Sequence, residues 1–83
     1  MNVHAKNNLK KILLDQINTN SNTLVLNDML LGQDGANLVA EFIPQFHHNL
    51  EHLEIKGSNI DSEGFEVICV ALLNCPHIKS IIL

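Results

Sequence analysis

The stretch "LEHLEIKGSNIDSEG", residues 50 to 64, carries apolar positions that no single period explains. Leu53 and Ile55 alternate with Glu54 and Lys56, as in a short half-buried strand, because strand side chains point to opposite faces with period two. Leu50 and Ile60 flank that strand off its period. Sliding the chain against itself at an offset of 29 accounts for them. "SNTLVLNDMLLGQDG", residues 21 to 35, then falls under the same stretch, with Leu24 under Leu53, Leu26 under Ile55, Leu31 under Ile60 and Gly35 under Gly64. A helical period follows each glycine at the same offset: Leu38, Val39, Phe42, Ile43 and Phe46 in the first segment, Val67, Ile68, Ala71, Leu72 and Cys75 in the second. A third start stands at Ile78, Ile81 and Leu83, at an offset of 28 from Leu50, Leu53 and Ile55. Upstream, Leu9, Leu13, Leu14 and Ile17 match Leu38, Phe42, Ile43 and Phe46 at the first offset, which predicts a helix over residues 3 to 18.

A unit that recurs at offsets of 29 and then 28, with Leu-x-x-Leu-x-Leu, an apolar residue five later, Gly four after that and then an amphipathic helix, resembles the leucine-rich repeat of the long, ribonuclease-inhibitor-like type. The resemblance covers residues 21 to 83. It implies an α/β fold: a short right-handed βα solenoid with a parallel sheet inside and helices outside. Residues 1–20 are then an N-terminal capping helix with Lys6, Lys10, Lys11 and Asp15 on its solvated face, and 21–83 hold two repeats plus the first strand of a third. Strands are expected over 23–27, 52–56 and 80–83, with Leu24, Leu26, Leu31, Leu53, Ile55, Ile60 and Ile81 buried and Glu54 and Lys56 exposed. The family places Asn at the turn after the strand, where it bonds neighbouring backbones. Here Met29 and Ser58 hold those positions and Asn59 lies one residue late, so a weakened or absent asparagine ladder is expected. Gly32, Gly35, Gly57 and Gly64 are expected to free the turns, and Asp34 or Ser62 to cap the helix starts. Pro44, inside a helical pattern over 36–47, predicts a kink or break near Ala40 to Ile43, and Pro76 stops the second helix.

Composition narrows the partners. With 83 residues, 46% hydrophobic, three Phe and neither Trp nor Tyr, the core must be aliphatic. A net charge of -4, with five Lys and no Arg, argues against nucleic acid, which needs clustered cations. The run "ILL" behind the N-terminal lysines is cut by Asp15 and is too short for a signal core or a membrane span, so a soluble, unprocessed chain with no membrane partner is expected. Cys69 and Cys75, six apart in one predicted helix, cannot bridge each other, which points to a reducing compartment and a cytoplasmic location in the chain's own cell or a host cytosol.

The densest polar cluster, His47, His48, Glu51 and His52, can be read as a zinc site or as a solvated turn. The turn is preferred, because His48 and His52 straddle a helix-to-strand junction. A small metal-binding protein stays as an alternative. The cysteines fall where Ala40 and Phe46 stand in the other copy, so they read as small buried hydrophobes rather than nucleophiles. There is no phosphate loop, no nucleophile elbow and no paired-carboxylate spacing, so neither an enzyme nor a cofactor is expected.

A surface remains. In the resembled family the outward strand residues line up in columns on the concave face, where partner proteins bind. Here these are Thr23, His52 and Ser80; Val25, Glu54 and Ile82; Asn27 and Lys56; and Asp28 at the strand end. The resemblance implies a protein-protein interaction module, of the kind used in inhibitors, GTPase regulators and host-directed bacterial effectors. The alternative is a structural N-terminal piece or cap of a longer solenoid. The strand over 78–83 would leave an open sheet edge, so residues 78–83 are expected to meet another chain, as a homodimer or edge to edge, or to continue into a longer array.

Overall fold

The computed structural model describes residues 1–19, 22–46 and 49–83. Its elements run α1 (Val3–Asn18), β1 (Thr23–Val25), α2 (Gly32–Phe42), a 3₁₀ turn (Ile43–Phe46), β2 (His52–Glu54), α3 (Ser62–Leu72) and β3 (Ser80–Ile82). The three strands form one parallel sheet in the order β1-β2-β3. Thr23, Leu24 and Val25 pair with His52, Leu53 and Glu54, an offset of 29, and these pair with Ser80, Ile81 and Ile82, an offset of 28. Both offsets are those of the sequence self-match. The assigned strands are shorter than the predicted spans, although pairing continues beyond them through Leu26 N–H to Glu54 O at 2.8 Å and Ile55 N–H to Ile82 O at 2.8 Å.

Alternation along the strands turns Leu24, Leu26, Leu53 and Ile55 toward the helices, where they are buried with Leu38, Val39, Ile43, Ile68 and Leu72. Each leucine or isoleucine fully removed from water contributes about 1.5–3 kcal/mol, so this aliphatic layer is the main source of stability. Two expected burials differ, and one α1 leucine at a core-matching offset lies outside. Ile81 is 45% exposed because it has β2 on one side only. Ile60 is only half-buried at the α3 entry. Leu14 is exposed because α1 packs through Leu9 and Leu13, with Ile12 and Ile17 beside them, and Leu14 lies off that stripe. Glu54 is half-buried rather than exposed, held against Asn27, while Lys56 is exposed.

Pro44 ends α2 as its chemistry requires. It has no N–H for the Ala40 carbonyl, and the chain tightens into the 3₁₀ turn, whose tighter winding still buries both Ile43 and Phe46. Two of the four glycines, Gly32 with φ +59 and Gly57, free the chain as expected, and two do not. Gly57, with φ +62, matches Asp28, with φ +60, and both turn the chain after a strand; Gly35 and Gly64 have no such φ. Gly64 serves packing: a Cβ there would lie 2.9 Å from the Ala36 Cβ and 2.9 Å from the Ile60 Cγ2, so its bare backbone is what lets α3 approach α2. Neither predicted cap holds. Asp61, one residue earlier than Ser62, accepts from Gly64 N–H at 2.9 Å, and α2 has no side-chain cap, because apolar Leu31 holds its N-cap position while Asp34, inside the helix, pairs with the Met1 ammonium at 3.1 Å.

The turns after β1 and β2 are stitched by other groups than an asparagine ladder. The buried Ser58 hydroxyl donates to Leu26 O at 3.0 Å, Leu31 N–H donates to Ser58 O at 3.0 Å, and the Asn27 Oδ1 accepts from Lys56 N–H at 2.9 Å. The outer edge of β1 is closed by α1. Gln16 lays its side-chain amide along Val25, accepting from its N–H at 3.2 Å and donating to its C=O at 3.4 Å, as a neighbouring strand would.

Candidate functional site

On the face of the sheet turned away from the helices, the strand register brings six of the nine predicted residues together. Register sets Thr23, His52 and Ser80 side by side, then Val25, Glu54 and Ile82; Asn27 and Lys56 lie beyond the paired positions and Asp28 turns the chain after β1 with φ +60. Adjacent strands lie ~4.8 Å apart, so each row is a continuous strip of side chains. Val25 (42%) and Ile82 (41%) are the exposed apolar members, flanking Glu54. His52, Lys56 and Asp28 are exposed, and Thr23, Asn27, Glu54 and Ser80 are half-buried.

Part of this polarity is already used within the chain. Asn27 donates its amide to Glu54 and accepts from Lys56 N–H, which fixes both side chains. A further row, Asn22, Glu51 and Lys79, escaped the sequence reading, although its spacings repeat the same 29 and 28. The Asn22 amide donates to one Glu51 oxygen and the Lys79 ammonium pairs with the other at 2.7 Å. The Lys79 hydrogen bond, then that of Asn22, holds the Glu51 carboxyl below the usual carboxylate range.

This pairing also removes Glu51 from the histidine cluster. His52 stands on the strand face, while His47 and His48 lie outside the described residues. Among the described residues no group of three or more His, Cys, Asp or Glu is placed to hold a metal ion. Cys69 and Cys75 are both free thiols; Cys75 is buried and desolvation pushes its thiol pKa up, while Cys69 is half-buried. The strand face presents an apolar pair, Val25 and Ile82, beside an imidazole, an ammonium, an amide and carboxylates.

Comparison with protein-family models, with curated proteins and with solved structures found no match. Among the described residues no helix is long and apolar enough to cross a membrane.

Proposed function

We propose that this chain is a protein-interaction module of the leucine-rich-repeat type, which binds a partner protein across the outward strand face. The observation that carries the reading is the 29 and 28 pairing offset, which lines Thr23, His52 and Ser80, and Val25, Glu54 and Ile82, into two rows on one face. It is the arrangement that stacking of short βα units generates, because each unit buries its apolar side only against its neighbours. The two unpaired thiols are in keeping with a cytosolic setting, in the chain's own cell or a host's. Val25 and Ile82 are the apolar anchors, and His52 and Lys56 the charged or donor groups that orient the partner. With no Trp, Tyr or Arg to concentrate binding energy, the face supports modest affinity.

A photoreactive amino acid at His52 tests this, with one at Glu41, exposed on α2, as control. The reading predicts a defined protein adduct from His52 that disappears when Val25 and Ile82 are both changed to Arg, and none from Glu41. Adducts of equal yield from both positions would contradict it. A second reading, a purely structural unit, is favoured by the closed Asn27–Glu54 and Glu51–Lys79 pairs, which leave fewer free groups. It predicts no adduct at His52.

A further inference from the structure

Four exposed positions run along one stripe of α3 and its C-terminal cap: Glu63, Glu66, Val70 and Leu73, spaced as neighbours on one helix face are. Their counterparts at the repeat offset of 29 are Asp34, Asn37, Glu41 and Pro44. All of these are exposed too, although α3 packs on one flank of α2 and α1 on the other. The stripe is thus the solvent side of the helix layer, open even where a neighbour stands on each flank. That sets it apart from Phe65, whose counterpart Ala36 is covered by α3. Along α2 the stripe is polar as far as Pro44, whereas along α3 its second half is apolar, with Val70 57% and Leu73 83% exposed. Folding does not ask for this pair. Ile68 and Leu72 supply the buried face of α3, and a β-branched valine is a poorer helix former than the glutamate that holds the matching place in α2.

We infer that this stripe is a second binding surface, which takes an amphipathic helix of a partner protein, with apolar residues over Val70 and Leu73 and Lys or Arg beside Glu63 and Glu66. A helix is the shape that fits. The backbone groups within α3 are spent on its own ladder, so no strand can add there, and an apolar pair one turn apart is met by residues of the same spacing on another helix. Charge selects the partner. α2 and α3 hold Asp34, Glu41, Glu63 and Glu66 and no Lys or Arg, and among the described residues neither Glu63 nor Glu66 forms an ion pair. The cations lie elsewhere. Lys6 lines a cavity with Asp34 and Glu41, Lys56 alternates with the buried Ile55 and so faces the strand side, and His77 and Lys79 follow the Leu73 end, where Lys79 pairs with Glu51. A second copy fits neither way. Two α3 stripes set parallel put carboxylate against carboxylate, and set antiparallel they bring Val70 to Glu66 and Leu73 to Glu63. The α1 of a second copy carries Lys6, Lys10 and Lys11 between the exposed Val3 and Leu14, so neither half of it is only apolar. A partner helix with apolar residues first and cations last, where its own dipole favours them, meets both halves of the stripe when it runs antiparallel to α3. This surface is separate from the outward strand face, and either can fail without the other.

The test uses the whole 83-residue chain and the labelled peptide acetyl-ALAQLLAQLAAKKAQKAQ-amide, with acetyl-ALAQLLAQLAAEEAQEAQ-amide as its charge-reversed control. Fluorescence anisotropy is expected to show the lysine peptide binding about tenfold or more tightly than the glutamate peptide, with amide shifts in the NMR spectrum concentrated on residues 63–73. Val70→Gln with Leu73→Gln, both outside the core, should weaken lysine-peptide binding by about tenfold or more at unchanged thermal midpoint, and Glu63→Gln with Glu66→Gln should remove the preference between the peptides. Equal affinity for the two peptides, or binding unaffected by Val70→Gln with Leu73→Gln, would overturn the inference. So would shifts centred on residues 52–54 or 80–83, which place the peptide on the strand face or at the sheet edge. Self-association of the free chain that Val70→Gln with Leu73→Gln abolishes assigns the stripe to a second copy and overturns it as well. Should that double variant unfold, the natural sequence decides: no shifts over residues 63–73 with the lysine peptide overturn the inference.

Discussion

At Gly64 a single hydrogen decides how two helices meet. Gly64→Ala puts a methyl 2.9 Å from the Ala36 Cβ and the Ile60 Cγ2, and overpacking of this kind costs about 1–3 kcal/mol against less than about 1 kcal/mol of gain in helix propensity. A lowered urea midpoint is expected, partly restored by adding Ala36→Gly; an unchanged midpoint would mean α3 shifts freely on α2. Glu51 gives a prediction in pH. Its folded carboxyl is held low, so its contribution is full above the unfolded value, roughly 4.3, and fades as pH falls through the folded value. The stability difference between the natural chain and Glu51→Gln should therefore be largest near neutral pH and shrink in acid; a gap that widens in acid would contradict the pairing. Cys75 has the opposite sign. Burial raises its thiol, so its share of stability is complete below the ordinary thiol range and declines as pH rises through the folded value, and Cys69 should react with a thiol reagent well before Cys75.

At the scale of elements, the strand pattern was legible in the sequence because a parallel sheet stacks like on like: Leu24, Leu53 and Ile81 pair in the register that the self-match gives. Pro44 was legible for the same local reason, since a missing N–H ends a helix whatever surrounds it. What escaped depends on neighbours that a period does not name. Leu14 matches the buried Ile43 in sequence, but α1 turns toward β1 so that Gln16 reaches Val25, and Leu14 is left outside. Gly64 read as a turn residue because its contact, Ala36, lies far away in the sequence, on the preceding helix. The cap of α3 was placed one residue late, as helix starts commonly are. Gln16→Ala should cost about 1 kcal/mol and speed amide exchange at Val25, because it uncovers the β1 edge while leaving α1 its Leu9 and Leu13 contacts.

For the whole molecule, three helices and three parallel strands share one aliphatic core, so a cavity anywhere in that layer should be felt throughout. Leu53→Ala, in the central strand and 1% exposed, is expected to lower stability by about 2–5 kcal/mol, enough to unfold much of an 83-residue chain, with helix and sheet signals lost together. Separate transitions for α1 and the sheet would show that the N-terminal helix is not part of that core. The proposed interaction function rests on one geometric claim, that positions related by the offsets 29 and 28 stand side by side, with Val25, Glu54 and Ile82 in a single outward row. Cross-strand proton contacts in a multidimensional NMR spectrum of the chain measure it directly. The account predicts contacts linking residues 23–25 to 52–54 and 52–54 to 80–82 in parallel register, with the Val25 and Ile82 methyls both close to the Glu54 side chain. Antiparallel contacts, or a register slipped by one residue that carries Val25 and Ile82 to the helix side, would contradict it.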